Sequence, residues 1–206
     1  MNMMTAARLH EVGKPFQLDE VAVPALTGSD VLVRVRACGV VPNLKNVVTH
    51  YPEWFPFLPL PTLPAIYGLD PAGEIAAVGP DVADLQPGQR VYVNPLRRCG
   101  SCHKCRTGHE IACNHLAFAG YFGFCPGADV MYERYPWGGF SEYMVAPAYS
   151  LVALPDEVSY DEGARFGYLG TSYGALRRAN VGPDTTLLVN GATGTLGVGA
   201  VLLALT

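Results

Sequence analysis

The chain is short of charge, and much of what it excludes follows from that. Only 16% of its 206 residues are Asp, Glu, Lys or Arg, and the 14 basic residues are outnumbered by 18 acidic ones. Without a basic stripe there is nothing to displace counterions from a phosphate backbone, so nucleic acid is excluded as a partner. The one basic gathering is Arg97, Arg98, Lys104 and Arg106. It is expected to form a solvated rim that helps lower the pKa of neighbouring thiols. Also missing is any apolar run long enough to cross a bilayer, and residues 1–10 carry neither the apolar stretch nor the cleavage pattern of a secretory leader. Cysteine, at 6 residues, is too sparse and too clustered for a secreted disulfide scaffold. No membrane partner and a reducing, cytoplasmic setting are the resulting expectations. What is present is an apolar fraction of 50%, enough for a core, punctuated by 23 glycines and 17 prolines.

The cysteines are not scattered. Cys99, Cys102 and Cys105 follow one another with two residues between each pair, and Cys113 closes the run. Such a knuckle can wrap a tetrahedral four-sulfur zinc site without help from distant parts of the chain. All four thiolates are then used by the metal, so the site is structural and has no coordination position left for substrate or water. The competing reading is a pair of disulfides or ordinary buried thiols.

Hydrophobic periodicity divides the chain in two. Up to about residue 155 it reads as short β segments with many turns: residues 16–18, the alternating 31–36, 73–79, 89–94, 140–146 and 150–153. That is the signature of a small irregular barrel. Helices are expected over residues 160–164 and 171–179, the second stopped by Gly182-Pro183. Residues 186–190 read as a buried strand, 191–197 as a glycine turn and 198–205 as the start of a helix. Strand, glycine turn and helix in that order form the first half of a dinucleotide-binding βαβ unit. Gly191, Gly194 and Gly197 would let the backbone turn sharply and approach a pyrophosphate, with helix amides facing the anion. The residue that tells NAD from NADP lies about 20 positions further on and is not in the chain.

With these features in this order, the chain resembles the medium-chain dehydrogenase/reductase superfamily, whose best known branches are zinc-type alcohol dehydrogenases and quinone oxidoreductases. The resemblance rests on Val31-Leu-Val-Arg-Val-Arg-Ala-Cys-Gly-Val40, Ala72-Gly-Glu-Ile-Ala-Ala-Val-Gly79, Leu85-Gln-Pro-Gly-Gln-Arg-Val91, Gly138-Gly-Phe-Ser-Glu-Tyr143 and Asn190-Gly-Ala-Thr-Gly-Thr-Leu-Gly197. It implies mixed β and α/β architecture: a GroES-like irregular barrel as catalytic domain over residues 1–155, with a structural zinc lobe at 95–115. Linking helices and the first β-α unit of a truncated Rossmann domain then occupy 156–206. By this resemblance the chain is a fragment of a longer enzyme that forms a homodimer. Cys99, Cys102, Cys105 and Cys113 match the structural zinc ligands. Thr171 and the turn residues Gly191, Ala192, Thr193, Gly194, Thr195, Leu196 and Gly197 match the side that receives NAD or NADP.

The second, catalytic zinc of the alcohol dehydrogenases does not carry over. Where those enzymes place a cysteine, an Arg or His and a Thr or Ser, this chain has Val41, Pro42 and Asn43; their Gly-His-Glu run reads Gly68-Leu69-Asp70; the third ligand position is Gly167. Val, Leu and Gly side chains have no lone pair to give a metal. The run at 68–73 is instead similar to the zinc-free quinone oxidoreductases. Cys38 with His50 is a remote alternative site, and Asp70 is either a displaced ligand, a pocket acid or, more simply, a loop carboxylate capping a turn. The resemblance then implies hydride transfer between a nicotinamide and an activated alkene, quinone or carbonyl, with Tyr51 as proton donor or oxyanion partner and Asn43 as orienting group. Trp54, Phe55, Phe57 and the prolines through Pro64 read as an apolar rim suited to an apolar or aromatic small molecule, or as a rigid surface loop. Two other readings stay open: a zinc alcohol dehydrogenase with rearranged ligands, and a truncated, inactive zinc-binding module.

Overall fold

The computed structural model describes residues 2–206, which form two compact units, 2–164 and 165–206. The first unit holds ten strands: β1 Met3–Leu9, β2 Gln17–Ala22, β3 Asp30–Gly39, β4 Ala65–Ile66, β5 Asp70–Val78, β6 Arg90–Val93, β7 Leu96–Arg97, β8 Ala117–Phe118, β9 Tyr143–Pro147 and β10 Leu151–Ala153. They pair antiparallel in three sheets, ordered β2-β1-β4, β10-β6-β5-β3-β9 and β7-β8. In the five-stranded sheet Val33 lies opposite Ile75 on one side and Met144 on the other, while Leu151 faces Val93.

Alternation sets the two faces of this sheet. Val31, Val33, Ile75, Val91, Val93, Met144 and Ala146 point inward and are buried together as the core. On the outer face Arg34 and Arg36 reach Glu74. β3 carries register shifts between Leu32 and Val33 and between Val35 and Ala37, irregularities that bend a long strand into a barrel wall. Five short helices decorate this unit: α1 Leu44–Thr49, α2 Tyr51–Trp54, α3 His103–Arg106, α4 Asp129–Arg134 and α5 Tyr160–Gly163. Ser159 and Glu162 form a reciprocal capping box that starts α5. A Cβ at Gly163 would press on Leu154, and one at Gly39 would sit 2.6 Å from the Ala164 carbonyl, so this helix packs directly on the barrel.

The second unit consists of α6 Phe166–Arg178 and α7 Thr195–Ala204. Their contact is close because Gly199 lies against Ser172, whose hydroxyl donates to the Leu196 carbonyl at 2.8 Å. Among the described residues no helix is long and apolar enough to cross a membrane.

Several expectations need correction. The expected strand over 186–190 makes no ladder, and Leu188 is 91% exposed. A strand exists through its partner, and among the described residues none pairs with this stretch. Helix α6 begins at Phe166 rather than at 171, and it stops at Asn180, whose φ of 52° is left-handed, before Gly182-Pro183 is reached. The stretch 120–139 contains α4, and residues 44–54, without an expected element, form α1 and α2. β2 runs from Gln17 to Ala22 rather than over 16–18.

Candidate functional site

The cysteine knuckle is built on the β7-β8 pair, where Leu96 faces Phe118 and Arg97 faces Ala117. Gly100, with φ +73°, turns the chain between the first two cysteines. Cys102 is extended just before α3, Cys105 lies on that helix, and Cys113 follows a 3-10 turn at Glu110–Ala112. The four sulfur atoms all lie within 4.8 Å of one another. Cys113 Sγ is 3.6 Å from Cys99 Sγ and 3.9 Å from Cys102 Sγ. A tetrahedron with Zn–S bonds of about 2.3 Å has edges of about 3.8 Å, so the set fits zinc. Backbone N–H groups of Cys99 and His115 donate to Cys113 Sγ, and that of Cys102 donates to Cys99 Sγ, at 3.3 to 3.4 Å. These are the outer hydrogen bonds that orient metal-ligating thiolates.

The thiols divide in ionisation. Backbone N–H groups of Cys105 and Asn114 bring Cys102 down to about 6, whereas burial pushes Cys105 up to about 12. Four adjacent thiolates cannot coexist without a cation, and a divalent ion supplies the compensating charge. None of the six cysteines is joined in a disulfide, and the four of the knuckle converge as one set.

Arg97 is not part of a solvated rim. It is fully buried: Nη1 donates to the carbonyls of Asn94 and Leu96 and to Ser150 Oγ, while Nε and Nη2 have no partner. Burial lowers its guanidinium to about 10. Arg98 pairs with Glu110 at 2.8 Å and covers the Tyr149 ring. The two arginines are neighbours of identical chemistry, and only tertiary placement separates them: Arg97 ends β7 with its side chain inside, whereas Arg98 lies just beyond the strand.

Two residues singled out in the sequence are brought together. Asn43 Nδ2 donates to Tyr51 Oη at 2.8 Å, and Asn46 Nδ2 donates to Asn43 Oδ1 at 2.9 Å. Asn43 precedes α1 and Tyr51 opens α2, so Tyr51 is helical rather than in a loop, and His50 sits at the junction of the two helices. The Tyr51 ring packs against Phe55 at 4.9 Å and Phe122 at 5.5 Å. Phe55 meets Phe57, Phe122 meets Phe118 and Phe124, and Trp54 stacks on His50 at 4.8 Å. Trp54 and Phe57 remain more than half exposed, so the belt is an open aromatic surface. Its second half comes from residues 118–124, where Phe118, Phe122 and Phe124 crowd into seven residues.

Asp70 is not a loop carboxylate. It is the first residue of β5, buried, and accepts a 2.7 Å hydrogen bond from Tyr92 Oη. Burial and the Asp70 charge raise the Tyr92 phenol far above its ordinary value, and the same two causes push Cys38 up to about 12. Cys38 is therefore a neutral thiol. Gly68, with φ +115°, brings the run before Asp70 so close to Phe140 and Gly139 that a Cβ would clash at 2.6 Å. Val41 is buried and Leu69 half-buried. Among the described residues the knuckle is the one group of three or more metal-capable side chains, and Cys38 and His50 join no such group.

In the second unit the turn is shorter than expected: it spans residues 191–194, and α7 begins at Thr195 rather than at 198, so Gly197 lies in the first turn of the helix. Gly191 has φ +72° and open space above it, while a Cβ on Gly197 would meet the Gly191 carbonyl at 2.1 Å. Gly194 precedes α7, whose first amides are left without helical partners. Thr171 Oγ1 donates to the Gly167 carbonyl within α6.

Residues 27–156 match the alcohol dehydrogenase GroES-like domain. The chain belongs to that family, and with it to the medium-chain dehydrogenase/reductase superfamily. It is 33% identical over 213 residues to an NAD-dependent alcohol dehydrogenase of Sulfurisphaera tokodaii, covering 98% of this chain and 55% of that protein. It is 31% identical over 192 residues to an acryloyl-coenzyme A reductase of Metallosphaera sedula, covering 92% and 52%. Its fold is similar to that of a cobalt- and zinc-bound thermostable alcohol dehydrogenase from Pyrobaculum aerophilum, with a TM-score of 0.79, 30% identity and coverage of 98% and 56%. The chain thus spans about half the length of the relatives it matches.

Proposed function

We propose that this chain supplies the catalytic domain of an NAD- or NADP-dependent oxidoreductase that reduces an activated alkene, quinone or carbonyl without a zinc at the reacting centre. The observation that carries the reading is the Asn43–Tyr51 hydrogen bond set into an open aromatic belt. It supports the reading because a hydroxyl and an amide side by side are suited to stabilise an acceptor oxygen. The matched ligand positions Val41, Leu69 and Gly167 offer no donor atoms, so polarisation of the substrate falls to these polar groups.

A nicotinamide, when bound, supplies the hydride. The open turn at Gly191 and the free first amides of α7 are suited to hold its pyrophosphate. Tyr51 donates a hydrogen bond to the developing oxyanion, Asn43 orients Tyr51, and Trp54, Phe55 and Phe57 offer apolar ring faces to a flat, apolar substrate. Cys99, Cys102, Cys105 and Cys113 hold one structural zinc. The Metallosphaera relative, named for reduction of an activated alkene, supports this reading. The alcohol dehydrogenase relatives favour the alternative in which rearranged ligands bind a second zinc. The proposal includes a homodimer and a reducing cytoplasmic location for the whole protein.

The deciding experiment measures zinc content together with nicotinamide oxidation by the whole protein, offered quinones, enones and simple ketones. One zinc per chain and turnover with conjugated acceptors is the expected result. Two zincs per chain, with activity that disappears when the second is chelated, would sink it.

A further inference from the structure

We propose that Asn46 is a positioning residue that fixes the polarity of the Tyr51 hydroxyl, so that its proton points away from the protein frame and toward the carbonyl oxygen of an aryl-conjugated substrate lying on the aromatic belt. This rests on the reading of Tyr51 as a hydrogen-bond donor.

The argument starts from the asparagine side chain, which has one accepting end and one donating end. Asn46 Nδ2 donates to Asn43 Oδ1 at 2.9 Å, which occupies the accepting end of Asn43. The donating end must then face Tyr51, and it does, at 2.8 Å. The Tyr51 oxygen receives that hydrogen bond, so its own proton has no acceptor in Asn43 and turns outward. Phe55 and Phe122 hold the ring at 4.9 and 5.5 Å, leaving rotation about the C–O bond as the freedom of the group. Asn43 and Asn46 stand three residues apart at the start of α1, on one face, which keeps the pair in register.

The reversed chain is equally well bonded but has the opposite effect. If residue 46 accepted from Asn43 Nδ2, Asn43 Oδ1 would face Tyr51 and draw the phenolic proton inward. The hydroxyl would then present a lone pair and repel a carbonyl oxygen. The amide of Asn46 therefore selects a substrate that accepts a hydrogen bond and has no need to give one. The flat rings beside it select conjugation.

Asn46→Asp tests this, because a carboxylate can only accept and so imposes the reversed chain, whereas Asn46→Ala frees Asn43 to take either orientation. In protein with 15N-labelled asparagine, the Asn43 side-chain amide protons should show a nuclear Overhauser effect to the Tyr51 ring protons next to Oη. That effect should vanish in Asn46→Asp and weaken in Asn46→Ala, while the backbone amide spectrum reports that both variants are folded. Binding of trans-cinnamaldehyde, followed by its absorbance, should weaken about 10-fold in Asn46→Asp, the worth of one hydrogen bond, and less in Asn46→Ala. A purely packing role for Asn46 predicts that the two variants behave alike, and that result overturns the inference. Unchanged binding in Tyr51→Phe overturns the donor reading itself; the two failures are separable because the Overhauser effect would still respond to Asn46→Asp.

Discussion

Burial and the nearby Asp70 carboxylate push the Cys38 thiol from 9.0 in the open chain up to about 12 in the fold. Between those values the folded protein keeps a proton that the unfolded chain has released, so folding stability must fall as pH rises through that window and be unaffected below it. Urea unfolding at neutral pH and at steps above 9.0 should show this decline, and Cys38→Ala should make it shallower. The same neutrality predicts that Cys38 resists alkylation until the protein unfolds. Arg97 makes the opposite case, a permanent cation in the core with two nitrogen groups unpaired. Its third nitrogen, Nη1, nevertheless satisfies the Asn94 and Leu96 carbonyls and Ser150 Oγ, and removing a donor leaves such acceptors buried without a partner. Arg97→Met is expected to lower unfolding free energy by about 1 to 3 kcal/mol in a denaturant melt. A gain in stability would mean that the two unpaired nitrogens cost more than the three hydrogen bonds return.

Elements were legible in proportion to how locally they are determined. The alternation at 31–36 identifies β3, because Val31 and Val33 must face inward while Arg34 and Arg36 face out, and the zinc knuckle is written in its spacing alone. α1 has little periodicity to read, because its buried face is only Leu44, Val47 and Val48, less than two turns. The aromatic belt was half legible: the side formed by residues 51–57 stood out, but its junction with residues 118–124 depends on tertiary placement. Ile75 in β5 sits at the centre of the sheet core, so Ile75→Ala should cost about 2 to 5 kcal/mol in a denaturant melt. The lobe at 99–113 has little apolar support of its own, and its order should depend on the metal. Cys102→Ser is expected to lower zinc content to well below one per chain and to increase amide exchange across the lobe, with the barrel strands still protected.

For the whole molecule, the two units differ in how completely they satisfy themselves. The barrel buries its apolar faces and pairs its long strands, whereas the second unit presents Leu188, Leu202 and Leu205 to solvent and leaves residues 186–190 without ladder partners. The glycine turn is therefore anchored by α7 on one side only. Calorimetric titration of the 206-residue chain should give a nicotinamide dinucleotide dissociation constant weaker than about 100 µM, or less than about 5.5 kcal/mol of binding free energy. Tight micromolar binding would show that the turn is already rigid without a sheet.

The same stretch has a consequence for limited proteolysis of the 206-residue chain. Exposed backbone outside helix and sheet is what proteases cut. With Leu188 91% exposed, nicking should fall within residues 184–190 before the barrel strands are touched.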